Sequence, residues 1–184
     1  MEFQDVVRKR KMVRTFEDRP IDPAVLERMI ANAQRAPSAG FSQGWAFVVL
    51  TGKEETERYW NTTMSPERRK EFGWPGMFNA AALVVCLSNK AAYLDRYARP
   101  DKGWVDRDES HWPVPYWDID AGLGAVFFGI FDQAGFRKAF GIPEEYTAVG
   151  TVAIGHKAAT DRPSPSLKIV GKKPASEVVH RGHW

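Results

Sequence analysis

The chain is poor in the features that would take it out of the ordinary soluble class. It has one cysteine, Cys86, in 184 residues. An internal disulfide is therefore excluded, and a reducing compartment is the expectation. Cys86 lies in the apolar run 80–87 and reads as a buried structural thiol rather than a nucleophile. No apolar run approaches the roughly 20 residues of a membrane-spanning helix. The first residues are acidic and then basic, with no apolar segment of the kind a secretory leader carries, so a cytoplasmic protein without membrane association is expected. Histidines number four. His180 and His183 have a spacing that can ligate metal on a helix, but no further ligand stands near them and no metal site is expected. Internal repeats and low-complexity segments are absent. The net charge of +3 is mild. The cations cluster at two places instead of forming an extended stripe with interleaved aromatics, which argues against a nucleic-acid module.

With 43% apolar and 27% charged residues, the chain has the composition of a globular protein. Its length suits a single domain over residues 1–184, large enough for a real core. The stretch 36–45, Ala-Pro-Ser-Ala-Gly-Phe-Ser-Gln-Gly-Trp, stands between an amphipathic helical pattern and an apolar strand. Its small side chains would let a flat ligand approach main-chain N–H groups. Gln43 both donates and accepts, which suits a heterocycle edge of alternating carbonyl and N–H groups, as on the pyrimidine side of a flavin. An ordinary helix-to-strand connection has the same composition, so both readings stay open. Residues 40–44 also match G-x-S-x-G, the nucleophile elbow of hydrolases. That elbow needs a strand before the serine and a helix after it, and the pattern here has the reverse order.

Residues 2–11 can form a helix with Phe3, Val6 and Val7, and further on Met12 and Val13, as a loose apolar stripe. Arg8, Lys9, Arg10, Lys11 and Arg14 crowd its carboxyl end. Five cations within seven positions repel one another unless an anion sits among them. Arg10 and Arg14 would share a face if the helix continued that far, and guanidinium forks match phosphate oxygens. A phosphate site is favoured over a solvated basic face. Asp22 and Pro23 start a helix with Leu26, Met29, Ile30 and Ala33 on its buried side, ended by Pro37. Strands are expected at 45–51, 81–87 and 147–155, and further helical patterns at 54–60 and 67–72. Residues 99–117 lose periodicity and are rich in aromatics, forming either a lid or substrate wall, or a cap on the core or a partner subunit. The segment 120–134 is almost wholly apolar and is expected to be buried in a core or a dimer interface.

Taken together, the residues resemble the nitroreductase family of FMN-dependent oxidoreductases. Residues 10–16, Arg-Lys-Met-Val-Arg-Thr-Phe, look like its amino-terminal basic motif. The 36–45 stretch is similar to its A-P-S-S-x-N-x-Q-P-W loop. Residues 149–155 resemble the late strand, and Lys172, Lys173 and Pro174 the basic carboxyl-terminal stretch. The resemblance implies an α+β fold with a central mixed β-sheet flanked by helices, in an interlocked homodimer with FMN at the subunit interface. It implies phosphate contacts from Arg10, Lys11, Lys172 and Lys173. Arg14 would lie nearer the ribityl chain and the N1/O2 edge, and Pro37, Ser38, Ala39 and Gln43 along the ring. Met12 belongs to the same cofactor-binding set, although many members have serine there. Phe41 stands where asparagine is common and would face the substrate with Trp112 and Tyr116. The segment 116–141 reads as about one helix shorter than usual. The implied reaction is ping-pong: NAD(P)H gives hydride to the flavin and leaves, and a nitroaromatic, quinone or other electron-poor acceptor takes its place. No side chain then acts as nucleophile. The alternative is a flavin-binding or flavin-sequestering protein without turnover.

Overall fold

The computed structural model describes residues 2–36, 38–104, 109–111 and 128–162, together with Pro174 and Glu177. The three expected apolar runs form strands: β1 (Trp45–Thr51), β2 (Ala82–Asn89) and β3 (Tyr146–Ile154). They make a sheet of order β1-β2-β3. Trp45 faces Ser88 and Thr51 faces Ala82 across the first pair, while Ala82 faces Ile154 and Asn89 faces Tyr146 across the second. Both pairings are antiparallel, so among the described strands the expected mixed sheet is not what is found. Unbroken apolar runs signal burial on both faces, and that holds here; they carry no information on strand direction.

The two faces have separate clusters. Leu83, Val85 and Leu87 of β2 pack with Leu50, Ala148, Tyr59, Trp60 and Phe136 on one side. Ala82 and Val84 pack with Leu26, Phe47, Val49, Val152 and Ile154 on the other. A register shift opposite Cys86 and Leu87 inserts an extra residue at Val149 in β3. It exchanges the faces along that strand. Tyr146 and Ala148 before the shift, and Thr151 and Ala153 after it, therefore meet the same cluster. The Tyr59 hydroxyl and Thr151 Oγ1 share a buried hydrogen bond of 2.6 Å there. Cys86 is buried in β2, and burial raises its thiol above the ordinary value, as suits a structural cysteine.

The helices are α1 (Phe3–Lys9), α2 (Pro23–Ala33), α3 (Gly52–Thr63), α4 (Pro66–Lys70), α5 (Lys90–Tyr97) and α6 (Gln133–Phe140). α2 begins as expected, with the Asp22 carboxylate accepting from Ala24 N–H at 2.9 Å. Its buried side is narrower than the sequence pattern suggests. Leu26 is buried and Ile30 half-buried, whereas Met29 and Ala33 are exposed, because α2 covers the sheet with one edge only. α1 buries none of its residues: Phe3 is 73% exposed, Val6 50% and Val7 51%. Of the apolar segment 120–134, residues 120–127 lie outside the described residues. Phe128 pairs with Thr151 in an isolated bridge and stacks on Trp60, Phe131 is partly exposed, and helix begins only at Gln133 behind the Asp132 cap.

Candidate functional site

The basic arm leaves α1 at Arg10, whose backbone (φ −59°, ψ 126°) is no longer helical. Residues 10–15 run without helix. Arg10 and Arg14 therefore do not share a helical face. Four residues of extended chain would separate them by roughly 13 Å, and their common feature is charge left uncommitted. Lys9, Arg10, Lys11 and Arg14 form no ion pair among the described residues, whereas Arg8 is 3.6 Å from Asp5 and Arg69 is 2.8 Å from Glu57. Met12 is exposed, and the Arg14 guanidinium lies over the Trp74 ring, 5.2 Å from its centre, a cation–π contact that leaves its charge without an acidic partner among the described residues.

The root of the arm is held on every side. Arg14 N–H and Thr15 N–H both donate to Asp161 Oδ1 at 3.0 Å. Phe16 N–H donates to Gly76 carbonyl at 3.0 Å, and Glu17 N–H to His156 carbonyl at 2.8 Å. Ala158 N–H closes the pairing on Thr15 carbonyl at 3.0 Å. Nothing in the sequence marks Asp161 or Trp74 for this work, since each acts on residues distant in the chain.

The loop after α2 is built differently. A short 3-10 turn covers Ala39–Phe41, and strand β1 follows, so the helix-loop-strand order excludes a nucleophile elbow at Ser42. The Ser42 hydroxyl is spent on the Ala39 carbonyl at 2.7 Å. Ser38 Oγ accepts from Gln43 N–H at 2.9 Å, closing the loop across five residues. Phe41 (φ 56°) and Gln43 (φ 52°) both adopt the left-handed conformation that non-glycine residues avoid, and both side chains are exposed. Strain of this kind persists only when the surroundings hold it. They do so through α5. Arg96 Nε donates to Gly40 carbonyl at 2.8 Å while its fork grips Asp101, and Asn89 N–H donates to Gly44 carbonyl at 2.7 Å.

The small residues of this loop have a clear use. A Cβ on Gly40 would stand 2.5 Å from Tyr97 Cε2, and one on Gly44 would stand 2.4 Å from Tyr93 Cε2. These two glycines bring the loop onto the tyrosines of α5 instead of leaving room for a ligand. The opposite side, with Phe41 and Gln43, is the one left to solvent. A cleft of about 650 Å³ opens between Phe41, Gln43, the α5 side chains Asp95 and Arg96, and Arg99 just beyond the helix. Trp104, part of the aromatic segment 99–117, packs edge-on against Tyr97 at 5.3 Å and so belongs to the support of the loop.

Within one chain, arm and loop are anchored at opposite ends of β2. The loop is anchored at Asn89, the carboxyl end of β2, and the arm at Gly76 and Gly155 beside Ala81, just before its amino end. At about 3.3 Å per residue the two anchors are roughly 25 Å apart. Pro37, Trp112, Tyr116, Lys172 and Lys173 lie outside the described residues, as do His180 and His183. Among the described residues no group of three or more His, Cys, Asp or Glu is placed to hold a metal ion, and no helix is long and apolar enough to cross a membrane.

Comparison with known proteins adds to this geometry. The family model described as "Nitroreductase family" matches residues 7–156. A protein of Archaeoglobus fulgidus, provisionally named NADH dehydrogenase/NAD(P)H nitroreductase, is 28% identical over 152 residues, covering 80% of each chain. Among solved structures, a provisionally assigned nitroreductase from Exiguobacterium sibiricum in complex with FMN matches with a TM-score of 0.74 at 16% identity, over 98% of this chain and 97% of that one. A nitroreductase family protein from Clostridium difficile matches with a TM-score of 0.69 at 19% identity, over 100% of both chains. At such identities the two structures establish a shared α+β fold.

Proposed function

Because the chain belongs to the nitroreductase family, we propose that it is an FMN-dependent oxidoreductase that takes hydride from NAD(P)H and reduces a nitroaromatic, quinone or related electron-poor acceptor. The observation that carries this reading is the pair of unspent surfaces. One is an arm whose cations Arg10, Lys11 and Arg14 have no acidic partner among the described residues, and the other is a strained loop presenting Phe41 and Gln43 to an open cleft. The donor set fits the cofactor: guanidinium and ammonium groups suit a phosphate monoester, and an amide suits the ring edge.

FMN, when bound, supplies two-electron chemistry between a nicotinamide and an acceptor that use the same position in turn. The protein's part is binding, orientation and exclusion of water. Arg10 and Lys11 would hold the phosphate, with Lys172 and Lys173 extending the same role, and Met12 would line the arm between them. Arg14, kept flat by Trp74, would place positive charge where reduction makes the N1/O2 edge negative. Pro37, Ser38, Ala39 and Gln43 would lie along the ring, with Phe41, Trp112 and Tyr116 as the apolar wall facing the acceptor.

A homodimer is part of the proposal. With the two anchors about 25 Å apart at opposite ends of β2, a single flavin would be shared between the arm of one copy and the loop of another. The exposed apolar side chains of α1, which leads directly into the arm, support the same assembly. The first test is the visible spectrum of purified protein after incubation with FMN and desalting, followed by NAD(P)H oxidation with several acceptors. Flavin retained near one per subunit, with turnover, is the expected result. Retained flavin without turnover would favour sequestration, and no retained flavin refutes the proposal.

A further inference from the structure

Asp161 is a buried carboxylate for which the chemistry proposed above has no direct use. Its side chain is 4% exposed and sits in a turn closed by its own N–H on Ala158 carbonyl at 3.1 Å. A carboxylate removed from water is costly unless hydrogen bonds and opposite charge replace its hydration. Both are present. Oδ1 accepts the consecutive N–H groups of Arg14 and Thr15, each at 3.0 Å, and Oδ2 is 4.0 Å from Lys157 Nζ. The partners are backbone groups 147 and 146 residues away in the chain.

What matters is which part of Arg14 the carboxylate holds. An acid beside a basic motif would ordinarily pair with a guanidinium and cancel its charge. Asp161 grips the main chain instead, and its own charge faces Lys157. Among the described residues Arg14 makes no ion pair, and its guanidinium lies over the Trp74 ring, 5.2 Å from the centre. The next N–H groups, of Phe16 and Glu17, are bound to Gly76 and His156. The arm before Arg14 therefore departs from a fixed point, while Arg10 and Lys11 carry no ion pair among the described residues. We propose that Asp161 is a positioning residue for phosphate recognition: it fixes the backbone from which Arg10 and Lys11 reach the phosphate and Arg14 the ring edge, without neutralising any of them. This rests on the FMN reading of the site.

A residue that only supports the fold would affect every flavin alike, so the discriminating readout is the ratio of affinities for FMN and riboflavin, which differ by the phosphate. Both are titrated by fluorescence against flavin-free wild type, Asp161→Ala and Asp161→Asn. In Asp161→Ala, with two charge-assisted hydrogen bonds lost, FMN affinity is expected to fall about tenfold or more, and that of riboflavin, which lacks the phosphate but shares the ring edge assigned to Arg14, by no more than about threefold. Asp161→Asn keeps an acceptor oxygen and the residue's volume, so a partial rescue, about a threefold loss for FMN only, is expected. If Asp161→Ala does not fold, the asparagine variant carries the comparison by itself. Equal losses for both flavins, or no loss for FMN, overturn the role of Asp161 while leaving the FMN reading intact. Absence of FMN binding by the wild type overturns both.

Discussion

Substitution of Gly44 by alanine tests how the loop is held. The added Cβ would stand 2.4 Å from Tyr93 Cε2, 2.9 Å from Cδ2 and 2.7 Å from Asn89 carbonyl oxygen. None of these can yield easily. Tyr93 is fully buried, so its ring has nowhere to swing, and the Asn89 carbonyl belongs to the junction of β2 with α5. Backing the loop away would lengthen the 2.7 Å hydrogen bond from Asn89 N–H to Gly44 carbonyl. Overpacking a rigid site costs about 1–3 kcal/mol, and with a ring and a backbone oxygen both in the way the upper part of that range, about 2–3 kcal/mol, is expected. Urea unfolding followed by fluorescence should show a lower midpoint at an unchanged slope. The cause can be isolated. In a Tyr93→Leu background the same Gly44→Ala change should cost less by about 1 kcal/mol or more, a coupling that distant residues do not show. A cost below about 0.5 kcal/mol, or the same cost in both backgrounds, would refute the argument that glycine is required here by the tyrosine.

Tyr59→Phe leaves the fully buried Thr151 hydroxyl without its 2.6 Å partner and should cost about 1–3 kcal/mol by urea titration. Burial pushes the Tyr59 phenol up to about 12, so the folded state holds that proton longer than the unfolded chain does. The resulting stability is complete below about pH 10 and is lost as pH rises towards 12, a loss that the phenylalanine variant should lack in thermal melts across that range. The Arg69 fork, bonded to Glu57 at 2.8 and 2.9 Å, holds the Glu57 carboxyl below its ordinary value of 4.5. Its contribution is present above that value and fades as pH falls through the lowered one. Glu57→Gln should therefore cost roughly 0.5–1 kcal/mol near neutrality and progressively less as the pH is lowered below 4.5, with a loss that does not change with pH telling against the ion pair. Arg10→Ala combined with Arg14→Ala should weaken FMN binding far more than Lys9→Ala, and equal small effects would remove the phosphate assignment.

Where burial on both faces forced an unbroken apolar run, the sequence was readable. β1 is found at 45–51 as expected, and β2 and β3 lie within two residues of their expected bounds. Local chemistry was readable too: the Asp22 cap and the helix-loop-strand order around Ser42 depend on neighbours in the chain. What could not be read depends on neighbours in space. Tyr93 and Tyr97 explain Gly44 and Gly40, but the link is made only when α5 folds back on the loop. Asp161 looks like an ordinary turn residue until its carboxylate meets Arg14 and Thr15. Strand direction left no trace in residue type, since antiparallel strands covered on both faces have the composition that parallel ones do. α1 was misleading in the opposite sense, because its apolar stripe has no counterpart within the described residues.

That last feature bears on how the proposed dimer would be organised. α1 has seven residues, fewer than the roughly 12–15 at which an isolated helix becomes even marginal in water. Helices this short owe their stability to the apolar surface they bury, yet α1 leaves Phe3, Val6 and Val7 exposed. The C-cap of α1 is Arg10, the first cation of the arm, so whatever covers the helix also fixes where the arm begins. The other end of the arm is fixed at Arg14 and Thr15 by Asp161. Between these points lie only Lys11, Met12 and Val13, and Val13 packs against the core. A second copy docked on α1 would order the arm from both ends, coupling assembly to the geometry of the phosphate-binding cations. Dimer formation and cofactor affinity are then linked through one helix, and each would strengthen the other by the same factor.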